Sequence, residues 1–138
     1  MKNLFSQKGV AAVEFAIVLP LLLLLLFGII EFSIICYDKA MITNASREGA
    51  RRAALFTFPR GAIDVENAVL SYTSNHLITF TAPNTPAVAV SPDFCATSGE
   101  SIAVTVTYRY TFLLLPALTV NRVADYKDIT AITAMRCE

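Results

Sequence analysis

Residues that carry chemistry are sparse in this chain. There is one histidine, His76, which leaves little room for a histidine-based catalytic triad. No second ligand stands near it at metal spacing, so His76 reads as a surface or helix-capping residue. A glycine-rich phosphate loop, a CxxC pair and an H-E-x-x-H helix are all missing. The carboxylates Asp93, Glu100, Asp125 and Asp128 are scattered in loop-like surroundings. These absences leave no catalytic residue, metal ligand set or cofactor site to assign, and the chain reads as a non-enzyme. Lysine plus arginine number 11, as do aspartate plus glutamate, so there is no excess positive charge of the kind a nucleic-acid binder carries. Neither an internal repeat nor a low-complexity tract is present. With 138 residues, the chain holds at most one modest domain besides any membrane segment.

Cysteine is also scarce, with three in all. Cys36 lies at the far end of an apolar segment and reads as a small apolar residue. Cys95 and Cys137 lie in the C-terminal part, and two readings of them are open. In an oxidising compartment they would form a disulfide contributing about 2–4 kcal/mol. Otherwise they are reduced and simply packed, because two cysteines alone carry no spacing signature.

What the chain has in abundance is one apolar run. From Val10 to Ile30 only Glu14 is charged. As a helix these residues reach about 31 Å, enough to cross a bilayer core. A carboxylate near one end of such a helix is costly and is by default functional. Gly9 stands immediately before the run, with Lys2 and Lys8 upstream of it. A cleaved secretory signal would have a shorter apolar core followed by a small-residue site. Here Glu31-Phe32-Ser33-Ile34-Ile35-Cys36 follows, so a retained membrane helix is expected. Flanking charge does not orient it: Lys2 and Lys8 lie at one end, and Lys39, Arg47, Arg51 and Arg52 near the other. Pro20 cannot donate to the carbonyl of Ala16, which predicts a local kink or loosening, and Gly28 is a second soft point.

The helix is expected to continue past the bilayer. Ile34, Tyr37, Met41, Ala45, Gly49, Ala53 and Phe56 recur at steps of three and four, which predicts one apolar face. Asp38, Lys39, Thr43, Ser46, Arg47 and Arg51 lie opposite and beside it. Glu48 precedes Arg52 by four, the favourable order for a helical ion pair. Ala45, Gly49 and Ala53 form a flat strip that another element could approach closely. One helix over residues 10–56 follows, ended by Phe58-Pro59-Arg60-Gly61. Arg47, Glu48, Arg51 and Arg52 read either as a solvated, ion-paired face or as a docking surface for a neighbouring protein.

Residues 62–75, with Asp64 and Glu66 early, predict a second, shorter helix. Residues 78–81 and 87–90 predict short edge strands around a Pro-Asn-Thr-Pro turn, and residues 91–100 a loop. Residues 101–114 alternate cleanly: Ile102, Val104, Val106, Tyr108, Tyr110 and Phe112 against Ala103, Thr105, Thr107, Arg109 and Thr111. Pro116 ends that strand, and residues 113–120 form an apolar connection that could meet either the membrane surface or the stem. Residues 127–137 predict a last strand with Ile129, Ala131, Met135 and Cys137 on one face. Helices followed by strands indicate an α+β fold: a long N-terminal helix carrying a small head with an antiparallel sheet.

Gly9, four residues, then Glu14-Phe15 opening a long apolar helix resembles the processing site of a type IV prepilin of the tight-adherence (Flp) kind. The resemblance is to the TadE-like minor pilins, or pseudopilins. It extends over Gly9-Val10-Ala11-Ala12-Val13-Glu14-Phe15-Ala16, Leu19-Pro20-Leu21 and Ala45-Ser46-Arg47-Glu48-Gly49-Ala50-Arg51. The strand bearing Val104, Val106 and Tyr108 and the ending Met135-Arg136-Cys137-Glu138 also fit, although the family usually has an aromatic where Cys137 stands.

The resemblance implies a pilin-like fold and cleavage by a prepilin peptidase between Gly9 and Val10 on the cytoplasmic side. It implies a bacterial inner-membrane protein with its head exported, and a part in pilus assembly, adhesion or secretion. Implied partners are the peptidase, the major Flp-type pilin, other minor pilins, an inner-membrane assembly platform and the lipid bilayer. The chain then divides into a leader (1–9), a transmembrane helix (10–36), an amphipathic stem (37–57) and an extracytoplasmic head (58–138). In an assembly of parallel helices, the amine created at Val10 of one subunit could pair with Glu14 of the next, beside Phe15, removing the cost of both charges. The rival reading is a single-pass membrane protein whose head binds a ligand or partner and never assembles. A pseudopilin of a different secretion piston is a third.

Overall fold

The computed structural model describes residues 4–55, 62–80, 85–119 and 124–138. Its first element, α1, spans Leu4–Ala54 and is continuous through Pro20 and Gly28. Its 51 residues make a rod about 77 Å long. The rod has two halves with different surroundings. Below Ile30 the large apolar side chains are mostly exposed, among them Val10, Phe15, Ile17, Leu21, Leu22 and Leu25. A helix that is apolar all round and largely uncovered is suited to lipid, and α1 is long and apolar enough to cross a membrane. Above Ile30 the helix carries the head.

The head begins with α2 (Ala62–Thr73), which packs Val65, Ala68 and Val69 onto α1. His76 closes this helix: its Nδ1 lies 2.8 Å from the Tyr72 carbonyl, and its ring stacks on Tyr72. Three strands follow, β1 (Ala87–Ser91), β2 (Ser101–Thr111) and β3 (Tyr126–Arg136), with a single turn of helix, α3 (Leu115–Leu118), between the last two. The sheet is an antiparallel meander in the order β1-β2-β3. Its register opposes Val90 to Val104, Val104 to Thr133 and Tyr108 to Ile129. Period-two alternation sends Ile102, Val104, Val106, Tyr108 and Tyr110 inward, each at most 1% exposed. Ile129, Ala131 and Cys137 are buried on the same side of β3, while Arg109, Asp128 and Ile132 face out. The result is an α+β fold, a long apolar helix bearing a three-stranded antiparallel sheet, in a pilin-like layout.

Two expectations change. Residues 78–80 form no strand, because the amide of Ile78 donates to Asp38 Oδ1 at 2.9 Å and is turned toward the stem; Thr81 lies outside the described residues. The buried stripe of the stem is also rotated. It includes Glu31, Asp38, Ile42, Ala45, Ser46, Gly49 and Ala50, whereas Tyr37 is 42% exposed. Polar side chains turn inward because distant elements satisfy them: the Ser46 hydroxyl lies 2.7 Å from that of Thr133. The apolar connection after β2 holds α3, which packs against α1. Phe56 and the Phe58-Pro59-Arg60-Gly61 breaker lie outside the described residues.

The small-residue strip is where the layers meet. A Cβ built on Gly49 would stand 2.8 Å from Val69 Cγ2, 3.3 Å from Val104 Cγ1 and 3.4 Å from Val65 Cγ1. All three neighbours are β-branched and stiff. Overpacking of this kind costs about 1–3 kcal/mol, while replacing glycine in a helix returns about 1 kcal/mol. The Gly49→Ala protein is therefore expected to lose about 1 kcal/mol net, read as a lower denaturation midpoint in detergent.

Candidate functional site

The N-terminal candidates lie on the bare half of α1. Gly9 is inside the helix, and a side chain there would meet nothing within 4 Å. Val10 and Phe15 are 57% and 61% exposed. Glu14 is exposed and makes no hydrogen bond or ion pair with another described residue. Gly9, Val10, Glu14 and Phe15 thus sit together on an open rod that the head does not cover. Among the described residues nothing offsets the charge of Glu14, whose burial in hydrocarbon costs a few kcal/mol.

On the stem, Glu48 accepts from Arg52 Nε at 3.0 Å and from Arg51 Nε at 3.2 Å. Those hydrogen bonds hold its carboxyl below the usual carboxylate range. Arg51 and Arg52 are largely exposed, as is Arg47. Glu48, Arg51 and Arg52 therefore form a solvated, ion-paired group, with two arginines committed to one carboxylate, and exposed Arg47 stands beside it.

The sequence reading passed over a second acidic site, at the junction of the two halves. Glu31 follows directly on Ile29-Ile30 and is only 2% exposed. Its carboxylate accepts the backbone amides of Leu113, Leu114 and Leu115, the latter two at 2.9 and 3.1 Å. Three amides at the start of α3 are thereby satisfied by one side chain from α1. The signal was present in the sequence: the argument that singled out Glu14, a carboxylate set among apolar residues, applies equally to Glu31.

Two turns above, Asp38 is fully buried. Burial raises its carboxyl above the ordinary 3.8, opposed by the hydrogen bond from Ile78. Among the described residues its Oδ2 has no hydrogen-bond partner, nor does the buried hydroxyl of Tyr110. Tyr108 and Tyr110 are both pushed up to about 12, first by burial and then by nearby negative charge. That charge comes from Asp38 for Tyr108, and from Glu31 and Asp38 for Tyr110. Glu31, Asp38 and the two tyrosines form one polar seam between the stem and the inner face of the sheet.

At the opposite end of the head, Cys95 and Cys137 are joined in a disulfide with a Cα–Cα distance of 5.8 Å. It links the β1–β2 loop to the end of β3. Around it, Cys137 N donates to Glu100 O at 2.8 Å, Gly99 N to Cys137 O at 2.9 Å and Glu138 N to Ala54 O at 3.2 Å. Gly99 has φ +92°, a backbone conformation suited to glycine. Cys36 is free and exposed. No group of three or more His, Cys, Asp or Glu side chains among the described residues could hold a metal ion.

Residues 9–51 match the family model described as TadE-like protein, the family that the opening stretch resembles. The match starts at Gly9, crosses the apolar half of α1 and ends on the stem at Arg51, leaving the sheet unmatched. No curated protein and no solved structure matches the chain.

Two outcomes follow from the geometry. The folded chain disfavours ionised Asp38, since its carboxyl is raised above 3.8. That penalty is absent below the unfolded value and complete above the folded one, so stability falls as pH rises through this window. Denaturation midpoints across acid to neutral pH should show the native protein losing ground to Asp38→Asn as pH rises. Separately, the disulfide closes a sequence separation of 42 residues. Chain-entropy reasoning gives it about 4 kcal/mol, so reductant should lower the midpoint of the native protein and leave a Cys95→Ala, Cys137→Ala protein unchanged.

Proposed function

We propose that the TadE-like segment, residues 9–51, makes this chain a structural, non-enzymatic component of the Tad (Flp) pilus or secretion apparatus, a minor pilin or pseudopilin. The observation that carries this reading is that the family match begins at Gly9 and continues through the span into the stem. In this role the chain is an inner-membrane protein with its N-terminus cytoplasmic and its head outside. Residues 1–9 act as the leader, 10–36 as the membrane span, 37–57 as the stem and 58–138 as the head. A prepilin peptidase cuts between Gly9 and Val10, a stretch of helix that no other described residue covers.

Cleavage supplies an α-amino group at Val10. Glu14, exposed and without a partner among the described residues, is then free to accept that group from a neighbouring subunit whose helix lies parallel. Both charges would otherwise face hydrocarbon, so pairing them favours assembly over isolation in the bilayer. Phe15 and the apolar side chains above it supply the contact between helices. The partners are the major Flp-type pilin, other minor pilins and the assembly platform in the membrane. Arg47, Arg51 and Arg52, with Glu48, form the stem face that such neighbours would meet first.

Mass spectrometry of the N-terminus tests the processing step. Val10 as the first residue is expected; Met1 or Lys2 would instead support a single-pass protein that never assembles. The Gly9→Ala protein should accumulate as the uncut precursor. The Glu14→Ala protein should be cut normally yet enter pili poorly, and normal piliation with it would remove the pairing argument.

A further inference from the structure

We infer that the short connection carrying α3, residues 113–119, is a second membrane contact: an apolar foot that seats in the outer boundary of the bilayer beside α1, held there by Glu31. The inference rests on reading α1 as the membrane span.

The first observation is position. Of the span 10–36, about 20 residues of helix from Val10, at 1.5 Å each, cross the hydrocarbon core and end near Ile29, which leaves residues 30–36 at the headgroup level. Leu115 lies at that level, since a side chain at Gly28 would meet its Cδ2 at 4.0 Å. The foot therefore stands beside the top of the span, continuous with an apolar surface that already faces lipid. Around it Ile29, Ile30 and Phe32 are 58%, 45% and 67% exposed, and Leu113 is 46% exposed.

The second observation is chemistry. Residues 113–119, Leu-Leu-Leu-Pro-Ala-Leu-Thr, contain no charge. Irregular backbone enters an apolar phase only when its polar groups are satisfied from within. Here they are. The amides of Leu113, Leu114 and Leu115 go to Glu31, Pro116 has no amide hydrogen, and both the amide and the hydroxyl of Thr119 donate to Leu115 O. Glu31 in turn is shielded by the loop it binds, so a carboxylate at the membrane edge never faces lipid. A loop built only to join two strands in water needs neither this apolar composition nor this internal satisfaction.

The head would then stand on the membrane on two supports, α1 and the foot, which fixes its rotation about the helix axis. The partner is the acyl and headgroup boundary of a phospholipid leaflet.

The chain has no tryptophan, so a single introduced one reports its own depth. Full-length Leu113→Trp, Leu22→Trp and Phe94→Trp proteins are placed in phosphatidylcholine vesicles containing lipids brominated either near the carbonyl end or near the methyl end of the acyl chain. Leu113→Trp should lose about half or more of its emission with the shallow bromines, as expected for an interfacial segment. Leu22→Trp should be quenched by the deep bromines. Phe94→Trp, beside the disulfide at the far end of the head, should be unaffected. Quenching of Leu22→Trp with none for Leu113→Trp overturns the foot while leaving the span intact. No quenching of either overturns the span, and the foot with it. Adding Glu31→Ala to Leu113→Trp should lower the shallow quenching, and unchanged quenching would remove Glu31 as the residue that holds the foot.

Discussion

The close approach of Val69 and Val104 to the backbone of α1 at Gly49 is the contact on which the head depends. A helix that carries a domain on its upper half must let a second helix and a sheet come near its axis at once. Large side chains at that point would hold both away. With Ala45, Gly49 and Ala50 on the contact face, α2 and β2 pack onto the same few turns, and their inward residues close a single core. The sheet has only three strands, so much of its stability comes from covering one face with the stem.

The two ends of that core are fastened differently. At the top, the disulfide, the amide of Glu138 and the turn at Gly99 tie the last residues of β3 to the β1–β2 loop and to Ala54. At the bottom, the Glu31 carboxylate gathers three amides of the β2–β3 connection. Between them, Asp38, Tyr108 and Tyr110 form a buried polar seam with two unpaired oxygens. Unpaired buried groups of this kind reduce stability.

The lower half of α1 is the reverse case. It is largely open and apolar, and carries one carboxylate, Glu14, that the other described residues leave without a partner. Such a surface is completed only by lipid and by other helices. The head and the rod therefore meet different demands: one is satisfied within the chain and the other outside it.

The apolar run after Gly9, the continuation of its helix into a stem and the alternation of β2 were legible in the sequence. Each is a local periodic pattern, and local patterns fix secondary structure and the inward side of a strand. The small strip at Ala45 and Gly49 was legible too, as a place of close approach. Which way the stem faces was not. On a helix rich in apolar residues several stripes look alike, and the one through Tyr37 and Met41 had no visible disadvantage over the one through Asp38 and Ile42. The choice fell to Asp38, Ser46 and Glu31, whose partners at Ile78, Thr133 and Leu113–Leu115 are 40 to 87 residues away. A polar side chain's direction is set by the group that satisfies it, and when that group is distant in sequence only the tertiary structure can name it. The sequence by itself determined that this chain has a membrane-length helix with a sheet-bearing head; the fold decided which face of the helix the head holds, and that Glu31 ties the β2–β3 connection to it at the edge of the span.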